Sequence, residues 1–303
     1  MIVINALLNI LQQGLCYAIV ALGVYISYKI LNFPDLTVDS SFPLGGVVSI
    51  WLVSIKVPFE IALILSIIAG GVAGLITGIL HVKFKINNLL SGIITMTGLL
   101  SINILLSKGR TLVPYNDSRT LFNNWFIDLF GENIRMQALG NIIILLVIVI
   151  IVKMLLDLFF QTKRGFMLRA IGNNEQMGTS LGVNIGLYKI LGLVLANCMV
   201  GFAGAIYGQY MRYFDNTSGT GMVVIALASV IIGVSLFKKV KFIKGTTSVI
   251  IGAILYTALL NIVIALGVPT TFLKFFMAFA FAIILILNNY LNNKKRKGGI
   301  QNA

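Results

Sequence analysis

The chain is poor in the side chains that carry most enzyme chemistry. It has one histidine, His81, and two cysteines, Cys16 and Cys198, each of which lies in an apolar run. This inventory cannot assemble a zinc site. The sequence also lacks a Gly-x-x-x-x-Gly-Lys-Ser/Thr phosphate loop, a His-Glu-x-x-His motif and a Gly-x-Ser-x-Gly elbow. We therefore expect no metal, no cofactor, no catalytic residue and no ATP hydrolysis by this chain itself.

Charged residues are scarce as well, at 11% of the chain, and only 9 residues are acidic against 23 that are basic. Hydrophobic residues make up 58%, and the mean hydropathy is +0.98. These values are typical of an all-α polytopic membrane protein and exclude a water-soluble domain. The apolar runs are continuous, which excludes the alternating strands of a β-barrel. The net charge of +14 comes from short clusters between apolar runs, so we expect no nucleic-acid partner.

The apolar runs predict about nine transmembrane helices, since one span needs roughly 20 apolar residues. The second and the seventh run are short for a straight crossing. The predicted spans are Val3–Tyr28, Pro43–Ile55, Phe59–Leu80, Leu89–Leu106, Leu139–Phe160, Leu187–Arg212, Met222–Phe237, Thr246–Leu266 and Thr271–Leu291.

The distribution of lysine and arginine predicts the orientation of these spans. When the spans alternate, about fifteen basic residues fall on one side and about seven on the other. The positive-inside rule then places the N-terminus outside and the C-terminus in the cytoplasm. The tail, residues 292–303, contains Lys294-Lys-Arg-Lys, and we expect it to lie in the cytoplasm near anionic membrane lipid.

The segment Phe33–Pro43 carries two prolines and the carboxylates of Asp35 and Asp39. It leads directly into the short second span, which begins at Pro43. A proline-interrupted segment at membrane depth is tolerated only where it is buried in protein or lines an aqueous cavity. The pattern predicts a broken second segment. The alternative is a cytoplasmic loop in which both carboxylates are solvated caps.

A polar insert, residues 161–186, separates the fifth and sixth spans, and its Lys163, Arg164 and Arg169 place it in the cytoplasm. Asn173 or Asn174 can cap a short helix with Glu175 in its first turn, and Gly182 can end it. Met177 and Leu181, at i and i+4, would share one face of this helix. We interpret the insert as a docking element; the alternative is a loop without a partner.

Five strings carry a family resemblance. They are Gly14-Leu-Cys-Tyr-Ala-Ile-Val-Ala-Leu-Gly-Val-Tyr-Ile-Ser-Tyr, Phe33-Pro-Asp-Leu-Thr-Val-Asp, Ser41-Phe-Pro-Leu-Gly, the run from Arg169-Ala-Ile-Gly to Gly182-Val-Asn-Ile, and Ala203-Gly-Ala-Ile-Tyr-Gly. They resemble bacterial ABC-importer permeases of the branched-chain amino acid and ribose type. The first three strings are similar to the subfamily linked to importers of tryptophan and tyrosine. The resemblance extends over most of the chain, so we expect a single permease domain, residues 1–303.

The resemblance implies a set of partners and site residues. In that family the insert contains a coupling helix that sits in a groove of a cytosolic ABC ATPase, and the ATPase binds ATP and Mg. It also implies an extracytoplasmic substrate-binding (lipo)protein, a second permease copy forming a homodimer, and the bacterial plasma membrane. The residues so assigned to coupling are Arg169, Asn173, Glu175, Met177, Gly178, Leu181 and Gly182. The residues assigned to the translocation path are Asp35, Asp39, Phe42 and Pro43.

Other functions stay open at this point. A secondary amino-acid transporter would need acidic residues in mid-span for proton relay, and only Asp157, near the end of its span, comes close. A membrane enzyme lacks a recognisable catalytic set. A structural scaffold would need neither the docking insert nor the broken segment. An ABC permease for another small solute, such as a sugar, is not distinguished by these residues.

Overall fold

The computed structural model describes residues 2–115, 119–124, 127, 130, 133–180, 182–238, 240, 242–269, 272 and 275–286. The regular elements of the described chain are helices, apart from one small antiparallel sheet. Its elements are α1 (Ile2–Val24), α2 (Val38–Ser54), α3 (Phe59–Val82), α4 (Asn88–Leu106), β1 (Leu112–Pro114), α5 (Ile134–Gln161), α6 (Lys163–Asn173), α7 (Glu175–Ser180), α8 (Ile185–Met211), β2 (Tyr213–Asp215), α9 (Met222–Leu236), α10 (Gly245–Ala265) and α11 (Phe275–Ile286).

Among the described residues, 7 helices are long and apolar enough to cross a membrane, namely α1, α3, α4, α5, α8, α9 and α10, with the irregular turns adjoining α1 and α9 included. The two remaining apolar helices, α2 and α11, are shorter. With its 17 residues, α2 is about 26 Å long, less than the ~30 Å of a hydrocarbon core. Each of the nine predicted apolar runs thus contains a described helix, but a count of nine complete spans is not confirmed.

The outer surface of the bundle fits contact with lipid. In α5, only 17% of the most apolar window is buried. Leu146, Ile150 and Leu155 are among its exposed side chains. Such a continuous apolar surface would be a liability in water. In a bilayer it meets hydrocarbon, while the helix satisfies its own backbone hydrogen bonds.

The two ends of the bundle differ. At one end, called the sheet end, β1 pairs with β2, so the chain after α4 is tied to the chain after α8. Gln209 strengthens this tie: its side chain accepts a hydrogen bond from Leu121 N and donates one to Ser49 Oγ. At the other end, called the loop end, α6 and α7 connect α5 to α8.

The centre of the bundle is a seam in which α8 packs against α2 and α3 with backbone in direct contact. A Cβ on Gly70 or Gly74 of α3 would overlap the carbonyl groups of Asn197 and Leu193. Where α8 packs against α2, a Cβ on Gly45 of α2 would overlap the carbonyl of Gly201. Small residues at such spacings allow this close approach between membrane helices.

The predicted break lies between α1 and α2, but it is shorter than expected. The end of α1 widens into a π-helical turn, Tyr25–Ile30, and residues 31–37 are not helical. Pro43 was expected to begin the second span, yet it lies inside α2, which starts five residues earlier at Val38. A helix-interior proline leaves the carbonyl four residues before it without its usual donor. Here that carbonyl belongs to Asp39, and the backbone of Gly219 packs directly against it and against the Pro43 ring.

Candidate translocation site and loop-end segment

Asp35 anchors the broken segment to the middle of α8. Its side chain is buried, accepts a 2.9 Å hydrogen bond from Thr37 N, and accepts a 2.7 Å hydrogen bond from Asn197 Nδ2. The other amide atom of Asn197, Oδ1, accepts from Ser41 Oγ at 2.8 Å. A buried carboxylate is stable only when it has such partners. The alternative in which Asp35 is a solvated cap is therefore wrong.

Asp39 lies in the first turn of α2 and caps a second helix, α9. Its carboxylate accepts hydrogen bonds from Gly221 N at 3.2 Å and from Val223 N at 2.8 Å. The N-cap residue of α9 is Gly221, which has φ +89° and no side chain to offer. Since the first amides of a helix lack partners within that helix, a carboxylate at this place satisfies them and matches the helix dipole. The N-termini of two short helices thus meet at one carboxylate.

A cavity of about 330 Å³ adjoins this junction. Of the four predicted path residues, Phe42 and Pro43 line it, whereas Asp35 and Asp39 belong to the hydrogen-bond networks beside it. The lining residues come from α1, α2, α8, α9, α11 and the segment around β2. They are Tyr17, Phe42, Pro43, Gly46, Gly204, Tyr207, Gly208, Tyr213, Phe214, Asp215, Thr217, Ser218, Thr220, Met222, Ile225 and Met277.

Aromatic rings form one wall of the cavity. Tyr17 and Tyr207 stack with ring centroids 5.7 Å apart and an interplanar angle of 26°. Phe42 packs on the same Tyr207 ring at 5.6 Å. The glycines at positions 46, 204 and 208 also line the cavity, and a Cβ on Gly204 would overlap the carbonyl of Phe42. No local sequence pattern pairs Tyr17 with Tyr207, because 190 residues separate them.

Asp215 is the acidic residue of the cavity lining. It ends β2 and caps the 3-10 turn Asn216–Gly219: its Oδ1 accepts from Thr217 N and Thr217 Oγ1, each at 2.8 Å. Among the described residues no basic side chain forms an ion pair with it, and the cavity lining contains no lysine or arginine. No local pattern in the sequence marks this residue.

At the loop end, the insert forms two helices instead of the one that was predicted. In α6, Thr162 caps the first turn by accepting from Gly165 N, and Gly165, Leu168 and Ile171 are buried. This helix was missed because its polar sequence carries only a narrow apolar stripe. Asn173 ends α6, and Asn174 caps α7, with its Oδ1 accepting from Gln176 N at 3.0 Å.

The end of α7 follows the expected glycine stop. Gly182 has φ +68° and donates to Thr179 O, while Val183 N donates to Gly178 O at 3.1 Å. This pair of bonds is a Schellman motif. Gly178 is buried against the side chains of Ile171 and Ile185. Leu181 and the side chains of Glu175 and Met177 lie outside the described residues, so the shared apolar face remains a prediction.

Two contacts connect this segment to the rest of the bundle. Arg169 donates from Nη2 to Phe160 O at 2.7 Å and lies over the Phe160 ring, 5.5 Å from its centroid. Its described contacts are thus within the chain. The backbone of Gly172 packs so tightly on the π-helical turn that a Cβ there would overlap the carbonyl of Ile30. The loop-end helix α6 therefore touches the chain directly before the break at residues 31–37.

Asp157 ties α5 to the start of α10. Its carboxylate accepts from Lys153 Nζ at 2.9 Å, Lys244 Nζ at 3.2 Å and Thr246 Oγ1 at 2.7 Å. These partners make Asp157 a structural bridge at the loop end. We find no proton-relay geometry around it within the described part of the chain.

These features define a class: a multi-pass helical membrane protein with a cavity where two short helices meet, and a structured segment at the opposite end. A comparison with known protein families identifies one family within this class. Residues 6–287 match the family described as branched-chain amino acid transport system / permease component. The chain belongs to this family of ABC-importer permeases.

Individual relatives agree with this assignment. A tyrosine transport system permease protein of Clostridioides difficile is 39% identical over 285 residues, which cover 94% of this chain and 92% of the relative. A ribose import permease protein of Escherichia coli K12 is 29% identical, over 97% of this chain and 87% of the relative. The similarity therefore spans the whole membrane domain in both cases.

Proposed function

We propose that this permease is the membrane subunit of an importer for an aromatic amino acid, of the tyrosine or tryptophan type. The observation that carries the proposal is the cavity at the α2–α9 junction, with its aromatic wall and with no basic side chain among the lining residues that the structure describes. Its volume lies at the lower end of the range for small-molecule sites. The identity of 39% with the tyrosine transport permease supports the same substrate class.

The proposed assembly contains two copies of this chain, two cytosolic ATPases that bind ATP and Mg, and an extracytoplasmic substrate-binding (lipo)protein. The family supplies the precedent for these partners. In the bacterial plasma membrane, the sheet end with the N-terminus of α1 faces outward and receives the binding protein. The loop end and the basic tail, residues 292–303, face the cytoplasm, and the tail lies near anionic lipid.

In this proposal the ATPase acts through the loop-end segment. The coupling residues of α6 and α7 follow the movement of the ATPase, and the contact between Gly172 and the Ile30 carbonyl passes displacement to the break at residues 31–37. Asp35 and Asp39 connect that break to α8 and α9. Closure of the ATPases thereby changes access to the cavity, as in other proteins in which packed elements switch between two arrangements.

A sugar is the second candidate substrate, because the E. coli ribose permease is 29% identical over 97% of this chain. The test is ATP-driven uptake by the complete importer in proteoliposomes, with labelled tyrosine, tryptophan and ribose offered separately. Calorimetry on the purified binding protein with the same three compounds is run in parallel. We expect uptake and binding of the aromatic amino acids. Uptake of ribose without either amino acid would overturn the proposal.

A further inference from the structure

The sign of the charge in the cavity is opposite to that of the chain. The chain carries 23 basic and 9 acidic residues, yet the described residues that line the cavity include a carboxylate, that of Asp215, and no basic side chain. Asp39 adjoins the cavity too, but its two oxygens are engaged by the amides of α9. The carboxylate of Asp215 is therefore the acceptor that the cavity can offer to a cationic group.

The surroundings of Asp215 hold this carboxylate in place without neutralising it. Thr217 donates to it from its backbone amide and from its hydroxyl, which is bonded to both oxygens at 2.8 Å and 2.9 Å. These donors leave lone pairs free, because an ionised carboxylate has about four acceptor positions. Pairing of β2 with β1 further fixes the backbone at this position. A positioned, half-buried carboxylate is a suitable partner for an ammonium group.

We infer that Asp215 binds the α-ammonium group of the amino acid as it enters the cavity, while the ring of the substrate packs against Tyr17 and Tyr207. This inference rests on the proposed function and adds a substrate-binding site inside the permease itself. The aromatic wall also attracts cations through the faces of its rings. The site favours zwitterionic or cationic substrates with a flat apolar group, and it disfavours anions, since no basic group among the described lining residues compensates a negative charge.

The test uses the complete importer in proteoliposomes and the variant Asp215→Asn. Asparagine caps a turn as well as aspartate does, so this variant keeps the bond from Thr217 N while it removes the charge and one of the two acceptor oxygens. The matched control is Glu60→Gln, which removes one exposed negative charge from the first turn of α3, outside the cavity. Asp215→Glu restores the charge on a longer side chain.

We expect the maximal rate of tyrosine uptake to fall roughly tenfold in Asp215→Asn, the size typical of a lost charge-assisted hydrogen bond. The half-saturating concentration should change little, because the binding protein sets it. Glu60→Gln should behave as wild type, and Asp215→Glu should recover part of the rate. A merely structural role would instead reduce the abundance of the complex, which size-exclusion chromatography measures.

A second variant tests the aromatic wall. Tyr207→Phe keeps the ring and should retain uptake, whereas Tyr207→Leu should lower the uptake of tyrosine at equal abundance of the complex. Wild-type uptake in Asp215→Asn, or equal losses in Asp215→Asn and Glu60→Gln, would overturn the inference while leaving the proposed function intact. Failure of the wild-type importer to move any amino acid would instead overturn the proposed function.

Discussion

The carboxylate of Asp39 accepts a 2.8 Å hydrogen bond from the backbone amide of Val223, which lies 184 residues further along the chain. This bond joins the first turns of α2 and α9. The regular helical parts of α2 and α9 have 17 and 15 residues, which is fewer than the roughly 20 that a bilayer crossing needs. It gives the start of α9 the cap that Gly221 cannot supply. The bond therefore determines how the irregular backbone beside the cavity is held at membrane depth.

Replacing Asp39 tests this junction. Asp39→Ala leaves the amides of Gly221 and Val223 without their acceptor, and loss of a cap typically costs about 1 kcal/mol, more where water cannot substitute. We expect tyrosine uptake to fall strongly at unchanged membrane abundance. Asp39→Asn, which retains one acceptor, should give an intermediate rate. Wild-type uptake in the alanine variant would show that this cap has no part in transport.

The contact between Gly172 and the Ile30 carbonyl offers a test of transmission through α6. Gly172→Ala inserts a Cβ that overlaps this carbonyl, so α6 must shift away from the π-helical turn. We expect ATP hydrolysis by the assembled importer to continue while uptake per ATP decreases. The matched control is Gly98→Ala in α4, where a Cβ meets nothing within 4 Å. Equal ratios of uptake to hydrolysis in both variants would contradict the proposed route.

The apolar face predicted for Met177 and Leu181 is tested by changing both residues to aspartate. Burying two such side chains is worth roughly 1.5–3 kcal/mol each, whereas exposed salt bridges contribute only ~0–1 kcal/mol. We expect the double variant to lose co-purification with the ATPase and to lose uptake, with ligand binding to the external protein unchanged. Thr179→Asp, at an exposed position of the same helix, is the control for charge alone. Retention of the ATPase by the double variant would mean that these two residues do not form the contact.

The orientation of the chain is open to cysteine labelling. In a background with Cys16→Ala and Cys198→Ala, we expect Thr179→Cys to react with an impermeant maleimide only after the cells are opened. Arg110→Cys, in the exposed segment between α4 and β1 at the sheet end, should react in sealed cells. The reverse pattern would invert the predicted topology.

Hydrophobic runs alone locate the helices of this protein well, because each membrane helix must be apolar over most of its length. They do not locate α6, since its buried stripe of Gly165, Leu168 and Ile171 is covered by the bundle and its remaining surface is polar. The start of α2 was misplaced at Pro43, because the sequence does not show that Gly219 packs against the carbonyl that this proline leaves free.

The candidate site was less accessible to sequence reasoning than the helices. Phe42 and Pro43 were found from an unusual local string, and both line the cavity. Tyr17 lies far along the chain from Tyr207 and Asp215, and each of the three residues has an ordinary local context. Their assembly depends on how α1 and α8 cross and on the pairing of β1 with β2, and no local pattern specifies that arrangement.

The glycine seam has a consequence for how the protein moves. Packed helices slide past one another when side chains at their contact exchange rotamers. Between α8 and its neighbours α2 and α3, backbone meets backbone, so there are few side chains to exchange and sliding is blocked. These three helices should therefore behave as a stationary block. Displacement is left to α9 and α10, which Asp39 and Asp157 hold through hydrogen bonds that can open and close, so transport would proceed by these helices swinging against a fixed block.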